Sequence, residues 1–297
     1  MLFKGSGVAL VTPFDKKNNV NYIKLEELIN FHLTNKTDAI IVCGTTGESS
    51  TLSENEKKEV IKFVVDKVNG KIPVIAGTGS NSTKTAIEMS KFAQDVGCDG
   101  LLIVTPYYNK CSQEGLYKHY KEISNNVSIP IILYNVPSRT GVNITPETVL
   151  RLSRIKDICG IKEASGNISQ VAKIISLVNN EFFVYSGNDD QTLPILSLGG
   201  MGVISVAANI YPQKMHDLCY NYFDNNVKKA RKIQFELLKI MEKLFIDVNP
   251  IPIKEVMNIL GFNVGDVRLP LCKMSKEKIE ELSTVIKVNS FHDCIKQ

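Results

Sequence analysis

Eight short apolar, β-branched runs recur along the chain, and segments with helical periodicity lie between them. Most runs are hydrophobic throughout, which is typical of parallel strands that helices cover. The runs span residues 7–14, 39–44, 73–77, 100–106, 130–134, 158–162, 182–186 and 202–206. A strand and a helix that alternate eight times, at intervals of about 20 to 35 residues, predict a (β/α)8 TIM barrel.

A doubly wound open sheet is the competing architecture. It normally has a glycine-rich phosphate turn after its first strand, whereas residues 15–19 read DKKNN. Two helix starts also fit the barrel. Ser53 and Glu56 have the spacing of a capping box, and Thr145 precedes Pro146 as an N-cap precedes a first-turn proline. The barrel is therefore preferred.

The chain after the eighth run has a different pattern. Helical periodicity marks residues 227–244, 253–260 and 276–287, and no further apolar strand follows. The sequence therefore predicts a catalytic barrel over residues 1–224 and a C-terminal helical domain over residues 225–297.

Composition limits the functional classes. The 297 residues are 43% hydrophobic, and 35 basic and 31 acidic side chains are mixed along the chain, giving a net charge of +4. This distribution lacks the basic patch that a nucleic acid or an anionic membrane requires. Seven cysteines without a C-x-x-C pair, no export signal, and no apolar run near the roughly 20 residues of a membrane span predict a cytoplasmic globular protein.

Lys162 is the most informative single residue, because it directly follows an apolar strand. Alternation along that strand predicts that Ile158, Gly160, Lys162 and Ala164 share a face that lines the barrel mouth. An apolar environment favours the uncharged amine, the form that attacks a carbonyl. The competing interpretation, of equal weight on these residues alone, is a structural lysine paired with Glu163 or another carboxylate.

Other strand ends carry polar groups. Tyr134 ends the neighbouring run, and its hydroxyl could shuttle a proton at Lys162, although a rim tyrosine is the commoner case. Thr45 and Thr46 could hold a carboxylate without a metal, or form only a tight turn. Arg139 could bind a second carboxylate through both arms of its guanidinium, or lie on the surface.

The sequence contains no motif for a metal site or for a different catalytic nucleophile. The four histidines are widely spaced and form no ligand set with cysteine, so we predict no metal. The chain also contains no G-x-S-x-G and no Walker loop.

Five short motifs, in this order and at these barrel positions, resemble the dihydrodipicolinate synthase family of the class I pyruvate aldolases over essentially the whole chain. They are GTTGE at 44–48, GTG at 77–79, TPYYN at 105–109, YNVPSRTG at 134–141 and GIKEA at 160–164. The resemblance implies condensation of pyruvate with L-aspartate 4-semialdehyde, in the pathway to diaminopimelate and lysine.

The resemblance also implies roles for single residues. Lys162 forms a Schiff base with pyruvate, so no cofactor is needed. Tyr134, Thr46 and Tyr108 form a proton relay, with Tyr108 reaching the active site of a neighbouring subunit. That role implies at least a dimer, and the family commonly forms a homotetramer.

Binding roles follow from the same resemblance. Thr45 and Thr46 hold the pyruvate carboxylate, and Arg139 holds the semialdehyde carboxylate at the entrance. Backbone carbonyls around Gly187 and Ile204 complete the pocket.

The chain departs from the family at a regulatory site. In members that lysine inhibits, histidines and a glutamate line an interface site near Ser49, Asn81 and Tyr107. The corresponding residues of this chain are Glu54, Lys57 and Thr85. Lys57 repels the ammonium group of a bound lysine, and Thr85 does not supply the negative charge that the glutamate provides in the inhibited members. We therefore predict weak or absent feedback inhibition.

Two alternatives remain open at this point. N-acetylneuraminate lyase and the 2-keto-3-deoxy-sugar-acid aldolases share the lysine and the tyrosine, but need hydroxyl-binding side chains where this chain has Arg139 and Thr45–Thr46. An inactive barrel that senses a ligand is the alternative from a different class, since fold alone does not imply function.

Overall fold

The structure, a computed structural model, describes residues 1–288. Eight parallel strands pair in chain order, and β1 pairs with β8 to close the barrel. The strands are β1 Gly5–Ala9, β2 Ala39–Val42, β3 Val74–Gly77, β4 Gly100–Val104, β5 Ile131–Asn135, β6 Ile158–Glu163, β7 Phe183–Ser186 and β8 Gly202–Ser205. The predicted TIM barrel is confirmed.

Helices connect the strands and continue after the barrel. They are α1 Tyr22–Thr34, α2 Glu54–Val68, α3 Thr83–Asp95, α4 Gln113–Ser124, α5 Pro137–Thr140, α6 Pro146–Leu152, α7 Ile168–Leu177, α8 Thr192–Ser197, α9 Pro212–Phe223, α10 Val227–Lys243, α11 Ile251–Ile259 and α12 Lys276–Val288. Single 3₁₀ turns, Asp189–Gln191 and Ala207–Asn209, follow β7 and β8.

Both predicted helix starts are confirmed. The Ser53 hydroxyl accepts from the backbone N–H of Glu56, whose carboxylate accepts from the backbone N–H of Ser53, so α2 begins with a capping box. The Thr145 hydroxyl accepts from the backbone N–H of Thr148, with Pro146 in the first turn of α6.

The predicted bounds of the first strand, 7–14, are wrong. β1 is Gly5–Ala9; the backbone N–H of Leu10 still donates to the Ile41 carbonyl of β2, and the apolar residues after Leu10 leave the barrel. Their backbone N–H groups bond elsewhere: Val11 donates to the Asn209 side chain and Phe14 to the carbonyl of Val264. The sequence stays hydrophobic past the end of β1 because this segment packs under the C-terminal helices, where its side chains are as buried as those of a strand.

An irregularity in β6 changes the predicted alternation. The register against β5 shifts between Ile131 and Ile132, so that Ile131 pairs with Ile158 and Ile132 with Gly160. Ile158 consequently packs in the outer core, whereas Cys159 packs against the barrel interior. Ile158 therefore does not share the face of Lys162, contrary to the prediction.

The core has two layers. A small interior cluster fills the barrel and includes Phe3, Ile41, Ile132, Tyr185 and Ile204. A much larger cluster lies between the strands and the surrounding helices. Alternation along each strand sends successive side chains to the two layers, as a closed parallel barrel requires.

The three helices predicted after residue 225 are present as α10, α11 and α12. Their apolar faces belong to the same outer core as the barrel helices. The division into domains 1–224 and 225–297 stays a prediction, and its last residues, 289–297, lie outside the described residues. Within residues 1–288, no helix is both long and apolar enough to cross a membrane.

Candidate active site

Lys162 and Tyr134 are register partners on β6 and β5. Both side chains are buried, and Lys162 Nζ lies 4.3 Å from the centroid of the Tyr134 ring. An ammonium over the face of an aromatic ring interacts favourably with the ring. The two residues that the sequence singled out are therefore in contact inside the barrel.

The structural alternative for Lys162 does not hold. In the part of the chain that the structure describes, Lys162 forms no ion pair. The adjacent Glu163 is turned to the other face, where its carboxylate accepts from the amides of Asn135 and Gln170 and from the backbone N–H of Ser165. The neighbouring carboxylate thus fixes the end of the strand and leaves the amine free.

Asp189, after β7, is the carboxylate whose charge acts on this region. Its Oδ2 accepts from the backbone N–H groups of Val206 and Ala207, at 3.1 and 2.9 Å. Burial raises the pKa of Asp189, while hydrogen bonds from Ser205 and this backbone, and the charge of Lys162, act in the opposite direction. Asp189 therefore joins the loops after β7 and β8 close to the candidate nucleophile.

Thr45 and Thr46 follow β2 and differ in environment. Thr45 lines a small cavity together with Tyr134, Leu102 and Val104. Thr46 is 2% exposed, and its Oγ1 accepts a hydrogen bond from Asn249 Nδ2 at 3.0 Å. One threonine thus reaches the tyrosine through open space, and the other is held by the C-terminal segment.

A wider cavity of about 330 Å³ adjoins the small one, and Thr45, Ser49 and Val104 line both. Arg139, on the short helix α5, lines the wider cavity, and its Nη2 donates to the Asn249 carbonyl at 3.4 Å. The guanidinium forms no ion pair among the described residues. The volume suits a small ligand, and the free donors suit a carboxylate.

Gly187 directly follows β7, and Ile204 lies within β8. Gly187 fits against the end of β6: its N–H donates to the Glu163 carbonyl at 2.7 Å, and a Cβ here would lie 2.6 Å from the Cβ of Ala164. Ile204 is fully buried in the interior cluster. That their backbone carbonyls complete the pocket stays a prediction.

Tyr108 lies apart from these residues, on the loop after β4. It is 90% exposed and has a positive φ of 70°, a conformation that side chains rarely adopt without a reason. Nothing in the described part of the chain covers its ring. The predicted contact with a neighbouring subunit is not tested by a single chain.

The positions named for feedback inhibition are partly brought together. Ser49, Lys57, Thr85 and Tyr107 line the wider cavity. Glu54 instead forms an ion pair with Lys58 at 2.6 Å. A lysine side chain therefore contributes a positive charge to this end of the cavity.

Sequence reasoning missed Asn249 and Asp189. Asn249 lies 203 residues after its partner Thr46, in a segment whose periodicity marked only helices. Asp189 could have been noticed, because an acidic pair, Asp189–Asp190, begins three residues after the end of a predicted strand. The arrangement combines a buried amine, a phenol, two hydroxyls and a guanidinium, which suits addition to the carbonyl of a carboxylic acid.

The model of the dihydrodipicolinate synthetase family matches residues 2–289. The chain belongs to this family. A family member named 4-hydroxy-tetrahydrodipicolinate synthase 1, from Clostridium acetobutylicum, is 57% identical over 286 residues, which cover 96% of this chain and 97% of that protein. The synthase of Caldicellulosiruptor bescii is 58% identical over 285 residues, 96% of each chain. This chain, like those family members, is a lyase.

Solved structures of the family have the same fold. Dihydrodipicolinate synthase from Thermotoga maritima is 44% identical, with a TM-score of 0.96 over 98% of this chain and all of that one. A second structure, described as the first monomeric dihydrodipicolinate synthase variant, is also 44% identical, with a TM-score of 0.95 over 98% of each chain. The same chain fold therefore occurs in a monomer, and fold alone does not establish the assembly.

Proposed function

We propose that this chain condenses pyruvate with L-aspartate 4-semialdehyde to give 4-hydroxy-tetrahydrodipicolinate, in the biosynthesis of diaminopimelate and lysine. The observation that carries this proposal is the buried, unpaired Lys162 beside Tyr134. The names of the family relatives support the choice of substrates.

The first steps attach pyruvate to the enzyme. The uncharged amine of Lys162 adds to C2 of pyruvate, and loss of water gives a protonated Schiff base. This cation draws electrons from C3, so removal of a C3 proton produces an enamine. Thr45 and Thr46 hold the carboxylate during these steps, and Tyr134 moves protons.

The next steps join the second substrate. The enamine carbon attacks the aldehyde carbon, whose oxygen takes up a proton. The amino group of the semialdehyde then attacks the Schiff-base carbon and displaces Lys162, which closes the ring and restores the amine. Arg139 binds the semialdehyde carboxylate at the entrance through the donors that its contact with the Asn249 carbonyl leaves free.

The family resemblance gives the proton relay as Tyr134, Thr46 and Tyr108. We propose that Thr45 takes the place of Thr46 in this relay, because Thr45 lines the cavity that reaches the ring of Tyr134. Tyr108 completes the relay from a neighbouring subunit, so the active assembly is at least a dimer, and we propose a homotetramer. The exposed ring of Tyr108 supports this role, since the chain itself does not bury it.

Three further expectations belong to the proposal. The reaction needs no metal and no cofactor, because the lysine supplies the electron sink. It takes place in the cytoplasm. Lysine inhibits weakly or not at all, because Lys57 places a positive charge beside the cavity and Thr85 supplies no negative one.

Trapping with borohydride tests the proposal. Incubation with pyruvate and sodium borohydride should add one reduced pyruvate to the intact mass of the parent. Lys162→Arg keeps the charge, removes the nucleophile, and should abolish the adduct. Lys156→Ala changes an exposed lysine just before the same strand and should leave the adduct unchanged. An adduct that persists in Lys162→Arg would contradict the assignment of the nucleophile.

The acceptor needs its own measurement. Given pyruvate, the parent should consume L-aspartate 4-semialdehyde in preference to N-acetylmannosamine or a sugar aldehyde. Pyruvate trapping with turnover of only a sugar substrate would favour a sister aldolase. A folded parent without any adduct would favour the ligand-sensing barrel.

A further inference from the structure

Asn249 joins the C-terminal segment to the loop after β2. Its Nδ2 donates to Thr46 Oγ1 at 3.0 Å, and both residues are buried. Asn249 immediately precedes Pro250 and α11, whereas Thr46 belongs to the catalytic barrel. The hydroxyl proposed to bind the 2-oxo acid is therefore in contact with a residue of the C-terminal helices.

The direction of this hydrogen bond determines what Thr46 can bind. A hydroxyl has one hydrogen and two lone pairs, and the Asn249 amide occupies a lone pair. The Thr46 hydrogen is then available to another acceptor. An ionised carboxylate can only accept, so a hydroxyl held as a donor matches the carboxylate of a 2-oxo acid.

A second observation marks Asn249 as more than a structural link. Its Oδ1 is buried and has no hydrogen-bond partner among the described residues. Leaving a buried acceptor without a partner costs free energy, and such exceptions call for a specific explanation. The backbone carbonyl of Asn249 also accepts from Arg139. One residue thus contacts the two side chains assigned to the two carboxylates.

We propose that Asn249 is a positioning residue that holds the Thr46 hydroxyl as a donor toward the carboxylate of the 2-oxo acid. This inference rests on the proposed condensation of pyruvate. Asn249 acts through Thr46, so its loss affects pyruvate. Binding of the semialdehyde depends on Arg139, whose contact is with the backbone of Asn249 and survives a change of side chain.

The segment does not depend on Asn249 for its docking. Five residues later, Lys254 forms a buried ion pair with Glu48 on the same loop as Thr46. Substitution of Asn249 should therefore leave the segment in place. This separation makes a functional test possible.

Asn249→Ala is the first variant. Loss of a hydrogen bond that orients a group toward a charge should raise KM for pyruvate about tenfold or more. KM for the semialdehyde should stay within about twofold. Asn258→Ala is the matched control, because among the described residues the Asn258 side chain bonds only Val264 and Gly265, within the C-terminal segment. An unchanged KM for pyruvate in folded Asn249→Ala would overturn the proposal.

Asn249→Asp has nearly the same shape and reverses the hydrogen bond. An ionised carboxylate accepts the Thr46 hydrogen and repels the bound carboxylate, so KM for pyruvate should rise more than in Asn249→Ala. As the pH falls, protonation of the introduced carboxyl restores a hydrogen-bond donor. The ratio of KM for pyruvate in Asn249→Asp to KM in the parent at the same pH should then decrease. A ratio independent of pH, or parent-like activity, would show that the amide of Asn249 does not act as a donor.

A double substitution tests whether Asn249 acts through Thr46. In a Thr46→Val background, Asn249→Ala should change KM for pyruvate by less than about twofold, because the hydroxyl that it orients is gone. Equal losses in both backgrounds would overturn the proposal. Borohydride trapping of pyruvate on the parent is measured in parallel. A parent without an adduct refutes the proposed condensation, whereas a parent with an adduct and an indifferent Asn249 refutes only the positioning role.

Discussion

Lys254 and Glu48 form an ion pair of 2.8 Å between side chains that are 2% and 0% exposed. Lys254 Nζ also donates to the carbonyls of Thr12 and Asp266, and Glu48 accepts from the backbone N–H of Arg268. The three hydrogens of the ammonium are thereby all used. The pair connects the C-terminal segment to the loops after β1 and β2.

Removal of one partner should strongly destabilise the protein. Lys254→Met leaves the Glu48 carboxylate buried without a cation, and we expect a loss of about 3–5 kcal/mol in the free energy of unfolding. Adding Glu48→Gln should recover part of this loss, because the remaining buried group is then neutral. Urea unfolding measures both.

Lys273→Met is the matched control for this pair. Lys273 forms an exposed ion pair with Asp266 in the same segment. Its loss should change the free energy of unfolding by less than about 0.5 kcal/mol. A comparable loss in both lysine variants would contradict the importance of the buried pair.

Ionised Glu56 stabilises the folded protein, and this stabilisation is lost at acid pH. Its hydrogen bonds with Arg268 chiefly, and with Ser53, lower its pKa from 4.5 to about 2. Above the ordinary value the carboxylate is ionised in the folded and the unfolded chain, and its full stabilisation is present. Between pH values of about 4.5 and 2 the unfolded chain binds the proton first, so stability falls, by up to about 3 kcal/mol.

Glu56→Gln should remove this dependence. Between pH values of about 6 and 3, the parent should lose more unfolding free energy than Glu56→Gln, by up to about 2 kcal/mol. Glu88→Gln, at an exposed carboxylate on α3, should follow the parent. Parallel curves for the parent and Glu56→Gln would contradict the shift.

Substitution of Thr45 and of Thr46 should affect different kinetic constants. Thr45 lines the cavity that reaches Tyr134, so Thr45→Val should lower kcat by about 100-fold, in the range that a proton-transfer group contributes. Thr46→Val should chiefly raise KM for pyruvate. Thr45→Ser and Thr46→Ser keep the hydroxyls and should retain most activity. A larger loss of kcat in Thr46→Val would place the relay on Thr46.

Feedback by lysine should be weak. At sub-millimolar lysine we expect the initial rate to stay above half of the rate without lysine, because Lys57 disfavours an ammonium group in the cavity. A variant with Glu54→His, Lys57→His and Thr85→Glu should become more sensitive. Half-inhibition of the parent by sub-millimolar lysine would disprove the prediction.

The barrel and its central pair were predictable because both depend on local patterns. Apolar runs identify strands, and a lysine at the end of one is conspicuous against its neighbours. Local patterns also explain the errors. Residues 11–14 are as apolar as a strand but bond to Asn209 and Val264, and no local signal marked the irregularity at Cys159.

The role of Asn249 could not be predicted in this way. An asparagine before a proline and a helix has an adequate local explanation as a helix boundary. Its partner Thr46 becomes adjacent only when the C-terminal segment docks on the barrel. Contacts between residues so distant in the chain leave no periodicity, and a single sequence does not reveal them.

Asn249, Lys254 and Arg268 follow the residues that they hold by 203, 206 and 220 positions. During translation, the strand that carries Lys162 is completed long before these partners emerge. A polypeptide that stops before residue 249 contains the nucleophile and lacks the amide that orients the carboxylate-binding hydroxyl. We therefore expect full catalytic competence only at the end of synthesis, when the last sixth of the chain has docked, and premature termination should yield a barrel that holds its first substrate more weakly.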